Sequence, residues 1–147
     1  MLLECQPAVV KCLTEVRVRA IDQESVLELI AQDHAVGMRI MFEISENERR
    51  LHNWGMALGK GRSDERIAAF LLELYRRLHR AGLVKSDRFW MPMPQTEIAN
   101  HLGMSTEHLN RVLRELRESG IVTVRDWIVA IDRMAQLLQR AAPLQAR

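Results

Sequence analysis

The stretch from Gln95 to Leu113 reads QTEIANHLGMSTEHLNRVL and decides the fold of this 147-residue chain. Two short helices joined at a large angle by a tight turn need a small residue at their crossing and a glycine at the turn. Ala99 is the small residue, and Gly103 follows four positions later. These spacings predict a helix-turn-helix whose shared core is formed by apolar residues on the facing sides: Ile98, Leu102, Leu109 and Val112.

The second helix of this motif is predicted to present polar side chains to DNA. Ser105 or Thr106 can cap its N-terminus. On its exposed side, Arg suits guanine, Asn suits adenine and Glu suits cytosine in the major groove. The residues predicted to read bases are Thr106, Glu107, Asn110 and Arg111. The alternative is a solvated helix face on which Glu107 and Arg111 form an ion pair four residues apart.

A wing beside this helix is predicted from the residues that follow it. Ser119-Gly120 ends the helix, and residues 121–124 and 127–131 read as two strands around an Arg125-Asp126 turn. Residues 132–142 read as a short closing helix. Contacts with the sugar–phosphate backbone position a protein on DNA without reading its sequence. The residues predicted to make such contacts lie on both helices and the wing: Gln95, Thr96, Ser105, His108, Arg114, Thr123 and Arg125.

The N-terminal part of the chain predicts a short strand followed by a long helix. Residues 16–21 alternate apolar and polar, and the partner of this strand is either the Leu2–Val10 stretch or missing from the chain. From Asp22, a predicted N-cap, the pattern becomes helical. Seam positions spaced alternately four and three apart predict a dimerisation helix over 22–58, although a long helix packed on its own core is the alternative. The predicted dimerisation residues are Val26, Ile30, Ile40, Ile44, Asn47, Leu51, Trp54 and Leu58.

Glycines between this long helix and the motif predict a hinge. They are Gly55, Gly59 and Gly61, and a hinge there would let a second domain swing. A phosphate-binding loop is a poor alternative, because the spacing of neither GxxxxGK nor GxGxxG is present. Ser63 is predicted to cap a further helix that ends at Gly82, and residues 88–93 read as a short strand.

Composition and charge restrict the class of protein. The net charge is about −3 before Lys60 and about +5 from Lys60 onward, which places any polyanionic partner at the C-terminal part. Cys5 and Cys12 lack the spacing of a zinc or iron–sulphur site and read as reduced thiols. The sequence contains neither a secretory signal nor a run of about 18 apolar residues. We therefore expect a cytoplasmic protein that has no membrane partner. The five histidines are scattered along the sequence and form no catalytic or metal-binding motif. We therefore expect no enzymatic activity, no metal site and no cofactor.

Three segments occur in an order that resembles a known family. CLTEVRVRAID precedes the long helix, and SDERIAAFLLEL and PMPQTEIANHLGMSTEHLNRVLRELRESGIV follow it. From about Cys12 onward the chain resembles the C-terminal part of a Crp/Fnr-type bacterial transcription regulator. The resemblance implies a homodimer on a palindromic operator, with Glu107, Asn110 and Arg111 at the base-reading positions. Thr106 places the chain closer to the Fnr and FixK branch, whose half-sites resemble TTGAT, whereas Asn110 stands where that branch often has Ser.

The same resemblance implies a division of the chain and a set of partners. The sensory β-barrel of the family would precede Cys12, where this chain has eleven residues. We therefore expect a short form or fragment without an effector pocket, in which 1–21 is a remnant strand segment and 59–147 is the winged helix-turn-helix domain. The expected fold is mainly α with a small β component, and the expected partners are double-stranded DNA, a second copy and RNA polymerase. The alternative function is a truncated interaction protein that heterodimerises with full-length family members.

Overall fold

The computed structural model describes residues 11–144. Its elements are α1 (Gln23–Gln32), α2 (His34–Lys60), α3 (Ser63–Arg80), β1 (Arg88–Trp90), α4 (Gln95–His101), α5 (Thr106–Glu118), β2 (Val122–Arg125), β3 (Ile128–Ile131) and α6 (Met134–Ala141). A short 3-10 helix over Ala142–Leu144 follows α6. The predicted fold class, mainly α with a small β component, is confirmed.

The N-terminal strand predicted over 16–21 is wrong. Residues 11–22 belong to no helix or strand, and their side chains are exposed. A period-two pattern forms a stable strand only where a neighbouring strand completes its hydrogen bonds, and within residues 11–144 these exposed residues pair with no strand. The Leu2–Val10 stretch, one of the two alternatives for the partner of this strand, lies outside the described residues.

The predicted long helix begins as expected but does not run unbroken to Leu58. Asp22 caps α1, and its carboxylate accepts a hydrogen bond from the Ser25 backbone N–H at 2.9 Å. At Asp33 the backbone becomes extended, with φ −138° and ψ 103°. The Asp33 carboxylate accepts from the Ala35 N–H at 2.8 Å, so this residue caps α2 instead of continuing α1. The seam of Val26 and Ile30 is therefore interrupted before α2.

The glycine hinge predicted between the long helix and the next domain is also wrong over most of its length. α2 continues through Gly55 and Gly59 and ends at Lys60. A glycine inside a helix costs about 1 kcal/mol, a penalty that packing along the rest of a long helix can outweigh. Gly61 and Arg62 separate α2 from α3, and the Arg62 N–H donates to the Glu65 carboxylate at 2.9 Å. Arg62 thus takes the capping position predicted for Ser63, which is the first residue of α3.

The hydrophobic core lies where α3 and α6 pack together and where α5 packs on β2. Gly82, in the left-handed conformation at φ 72°, ends α3 as predicted. No helix within residues 11–144 is long and apolar enough to cross a membrane. The large side chains that are fully buried in the core include Ile67, Leu71, Leu72, Leu102, Leu109, Leu116 and Leu137.

The three strands form an antiparallel sheet in the order β1-β3-β2. Val129 on the central strand is the register partner of both Phe89 and Val124. The turn of the wing lies at Asp126 and Trp127, one residue later than predicted. Both residues have positive φ, 51° and 62°, the conformation that a two-residue hairpin turn requires. β1 ends at Trp90 rather than Met93, and the closing helix begins at Met134.

Candidate nucleic-acid interface

The helix-turn-helix forms as the sequence predicts. Gly103 has φ 61°, in the left-handed region where glycine pays no steric penalty. Its N–H donates to the Asn100 carbonyl at 3.1 Å, and the Met104 N–H donates to the Ala99 carbonyl at 3.0 Å. Ala99 is 1% exposed at the crossing of α4 and α5. The four apolar residues predicted for the shared core are all buried: Ile98, Leu102, Leu109 and Val112.

Ser105 caps α5 and sets its first turn. The Ser105 Oγ accepts a hydrogen bond from the His108 backbone N–H at 3.2 Å. Glu107 lies in this turn, where its own backbone N–H and then the Ser105 hydroxyl lower the pKa of its carboxyl group. Glu107 is therefore an ionised acceptor at the positive end of the helix, as a contact to cytosine N4 would need.

The polar side of α5 borders an open cleft of about 340 Å³. The cleft lies between α5, the first residue of α4 and strand β2 of the wing. The structure brings five of the predicted DNA-contacting residues together around it: Gln95, Glu107, Asn110, Arg111 and Arg114. Glu107, Asn110, Arg111 and Arg114 are exposed, and Thr106 is half-buried. This arrangement offers a carboxylate, two amides and two guanidinium groups on one accessible surface.

Arg117 is a candidate residue that the sequence analysis missed. It lines the same cleft and is exposed. The signal was present in the sequence, because residues three and four apart share one side of a helix and Arg117 follows Arg114 by three. A third arginine extends the positive charge along α5 toward its C-terminus.

The remaining predicted backbone contacts lie outside this cleft. Thr96 is exposed in the first turn of α4. On the wing, the Thr123 hydroxyl donates to Asp132 Oδ2 at 3.1 Å, so this group already has a partner. Arg125 is exposed and lies 3.3 Å from the carboxylate of Asp126.

Arg111 has a partner different from the one that the solvated-face alternative assigns to it. Its Nη2 atom lies 2.9 Å from Nδ1 of His108, within hydrogen-bond distance. Among residues 11–144, no ion pair between Glu107 and Arg111 is formed. The carboxylate and the guanidinium therefore remain separate groups on the surface of α5.

Two predicted dimerisation residues contact the helix-turn-helix of their own chain. The Trp54 ring stacks on the His101 imidazole, with centroids 4.2 Å apart and planes at 11°. A methyl group at Gly103 would lie 3.6 Å from Cδ2 of Leu58, which places Leu58 beside the turn. The C-terminal end of α2 therefore packs against α4 and the turn that follows it.

The other predicted dimerisation residues lie farther toward the N-terminus. Ile44 and Leu51 on α2 are 56% and 64% exposed, and Ile40 is half-buried. Asn47 is exposed, and its Oδ1 accepts from Arg50 at 3.4 Å. On α1, Val26 and Ile30 are half-buried, and Ile30 lies against α2 near Gly37.

Residues 11–144 contain no group of three or more His, Cys, Asp or Glu side chains arranged to hold a metal ion. Cys12 is exposed and forms no disulfide within this part of the chain. Cys5 lies outside the described residues.

Fold and surface together define a winged helix-turn-helix protein. The family model described as a Crp-like helix-turn-helix domain matches residues 65–140, which is more than half of the chain. The chain belongs to this family. The matched segment begins in the first turn of α3 and ends in the last turn of α6, so it contains the cleft and the whole wing.

Curated relatives extend the match into α2. The chain is 33% identical over 109 residues to the transcriptional activator protein FnrA of Stutzerimonas stutzeri, covering 74% of this chain and 42% of the relative. It is 30% identical over 102 residues to the anaerobic regulatory protein of Pasteurella multocida strain Pm70, covering 69% and 36%. The chain thus spans roughly two fifths of the length of these relatives.

A solved structure has the same fold. FixK2 from Bradyrhizobium japonicum superposes with a TM-score of 0.69 at 23% identity, covering 86% of this chain and 60% of that chain. Because the superposition includes most of residues 11–144, it extends the likeness in fold beyond the helix-turn-helix to α2.

Proposed function

We propose that this chain is a sequence-specific DNA-binding transcription regulator that acts as a homodimer on a palindromic operator. The observation that carries the proposal is the division of α5 into two sides. Leu109, Val112 and Leu116 are buried, whereas Glu107 and Arg111 are exposed beside an open cleft. An exposed polar helix side after a tight turn is the arrangement by which helix-turn-helix proteins enter the major groove.

The base contacts in this proposal come from Thr106, Glu107, Asn110 and Arg111. Arg114 and Arg117, farther along α5, contact phosphates, as does Arg125 on the wing. The contacts to bases specify the sequence, and the contacts to phosphates position the domain.

The homodimer in this proposal forms through α2. Ile44 and Leu51 leave more than half of their side-chain area exposed, and with Ile40 they follow the spacing of a coiled-coil seam. A dimer of this kind would place two α5 helices on half-sites about 34 Å apart. Because Trp54 and Leu58 pack on the chain's own helix-turn-helix, we place the dimer contact on the part of α2 before them.

Several finer assignments belong to the same proposal. The names of the relatives, an activator and an anaerobic regulator, support regulation of transcription. We expect half-sites of the TTGAT type, RNA polymerase as a further partner, and a cytoplasmic location. The division into 1–21, 22–58 and 59–147 remains a proposal.

Operator selection from a random DNA pool by the purified chain tests the proposal. We expect a palindrome to be enriched and its affinity to fall steeply with salt, because each neutralised phosphate releases a counterion. Recovery of unrelated sequences after repeated rounds would contradict sequence-specific binding.

A second candidate function is heterodimerisation with a full-length family member, whose activity this chain would modulate. The exposed apolar side of α2 supports a heterodimer as much as it supports a homodimer. A gel shift on the selected operator distinguishes the two, because a regulator binds DNA alone, whereas a modulator binds only when its partner is added.

A further inference from the structure

We infer that His108 is a specificity-determining positioning residue, which holds the Arg111 guanidinium in the orientation that reads a base. This inference rests on the proposed function. The two side chains lie one helical turn apart on α5, and Arg111 Nη2 is 2.9 Å from His108 Nδ1. The sequence analysis assigned His108 to the DNA backbone, so this role differs from the predicted one.

The chemistry of the pair determines which group donates. A guanidinium carries five N–H donors and no acceptor, so Nδ1 of His108 must accept. The contact therefore forms with the tautomer that carries its proton on Nε2. Nε2 is buried and has no hydrogen-bond partner within residues 11–144. With one nitrogen bonded to Arg111 and the other enclosed, neither is available to bind a phosphate, which argues against the predicted backbone contact.

The ring has a well-defined position from which to act. The backbone N–H of His108 donates to the Ser105 Oγ at 3.2 Å, which holds the backbone in the capped first turn of α5, and the burial of Nε2 restricts the ring itself. Arg111, by contrast, is an exposed and long side chain with many rotamers. A hydrogen bond to a fixed ring restricts those rotamers before DNA binds.

The hydrogen bond leaves Arg111 able to read a base. It uses one of the five N–H groups, and two adjacent N–H groups remain for O6 and N7 of a guanine. Fixing an arginine in advance lowers the entropy lost on binding, and the benefit is greatest where the geometry must be bidentate. The pairing should therefore affect the preference for one base more than it affects general affinity for DNA.

Two substitutions distinguish the effect of the hydrogen-bond acceptor from the effect of the aromatic ring. His108→Asn places an amide oxygen near the position of Nδ1 and can still accept from Arg111. His108→Phe keeps an aromatic ring in the enclosed position but has no acceptor. Each variant and the wild-type chain are tested by operator selection and by affinity for random DNA, and the position read by Arg111 is identified with Arg111→Ala.

We expect the asparagine variant to keep the wild-type base preference at that position and the phenylalanine variant to lose about two- to tenfold of it. Affinity for random DNA should be equal in all three chains. In a chain that already carries Arg111→Ala, adding His108→Phe should not change the base preference any further.

Four outcomes would overturn the inference. Unchanged preference in the phenylalanine variant, or equal loss in both variants, would show that the acceptor does not position Arg111. Weaker binding of either variant to random DNA would favour the predicted phosphate contact. If the wild-type chain selects no operator, the proposed function and this inference both fail, whereas the other outcomes leave the proposed function standing.

Discussion

The Arg111 guanidinium can recognise guanine in bidentate fashion, and it is exposed at the cleft. We expect Arg111→Ala to lower affinity for the selected operator by about 1 to 3 kcal/mol and to relax the preference at one position. Gel shifts on the operator and on its single-base variants measure both effects. Arg39→Ala on α2 is the matched control, because it removes an equal charge from another element and should leave base preference unchanged.

An equal loss of affinity for operator and random DNA would show that Arg111 contacts only phosphate. This result would leave Thr106, Glu107 and Asn110 as the candidates for base reading. It would also remove the basis for a positioning role of His108.

We expect substitution by alanine to have opposite effects on stability at Gly103 and at Gly55. Gly103 has φ 61°, and a methyl group there would meet Leu58 and Arg66 only at ordinary contact distances, so the cost lies in the backbone. We expect Gly103→Ala to lower the free energy of unfolding by about 1 to 2 kcal/mol. Gly55 lies inside α2 with nothing within 4 Å of an added methyl group, and Gly55→Ala should raise it by about 0.5 to 1 kcal/mol.

Urea unfolding of both variants measures the two changes. A destabilised Gly55→Ala chain would indicate that the helix bends or opens at this glycine, as the predicted hinge requires. A neutral Gly103→Ala chain would indicate that the turn does not need a left-handed residue.

At the scale of secondary-structure elements, we predict that α2 forms the contact between the two chains of the dimer. We propose that Asn47 lies in the dimer seam, where a buried polar residue fixes the register and the number of helices in a coiled coil. We expect Asn47→Leu to change the oligomeric state or the stability of the dimer without changing base preference. Analytical ultracentrifugation of the purified chain measures this.

His52→Leu is the control for this substitution. It adds the same apolar side chain to an exposed position on another side of α2. If both variants sediment like the wild-type chain, Asn47 does not belong to a dimer seam.

The elements that the sequence analysis predicted correctly are those whose signals are local. Ser105 begins α5 and Gly82 ends α3 through hydrogen bonds with nearby backbone groups. Such signals can be recognised from a few residues of sequence. The strand over 16–21 and the glycine hinge failed because both depend on neighbours. A strand needs a partner, and whether Gly55 breaks a helix depends on what the rest of α2 packs against.

At the scale of the whole molecule, the stack of Trp54 on His101 joins α2 to the first helix of the motif. Partial desolvation lowers the pKa of His101 below its usual value of 6.5, which means that the folded chain disfavours the protonated ring. The unfolded chain then binds this proton at a higher pH than the folded chain does. Stability should therefore decrease as the pH falls through about 6.5 and below.

Urea unfolding between pH 8 and pH 5 tests this dependence on the wild-type chain and on His101→Phe. The phenylalanine keeps an aromatic ring against Trp54 but does not titrate, so the stability of the variant should decrease less over this range. Parallel pH profiles would show that His101 does not contribute to acid sensitivity.

The sequence by itself determined the helix-turn-helix, its buried core and the chemistry of α5, because helix periodicity, capping and a left-handed glycine act within about twenty residues. Tertiary structure alone decided which side chains meet across the chain. It placed Trp54 on His101, gathered Gln95 with Arg111 and Arg117 around one cleft, and left Ile44 exposed. Packing between distant segments depends on the angle at which helices cross, and the spacing of residues along the chain does not specify that angle.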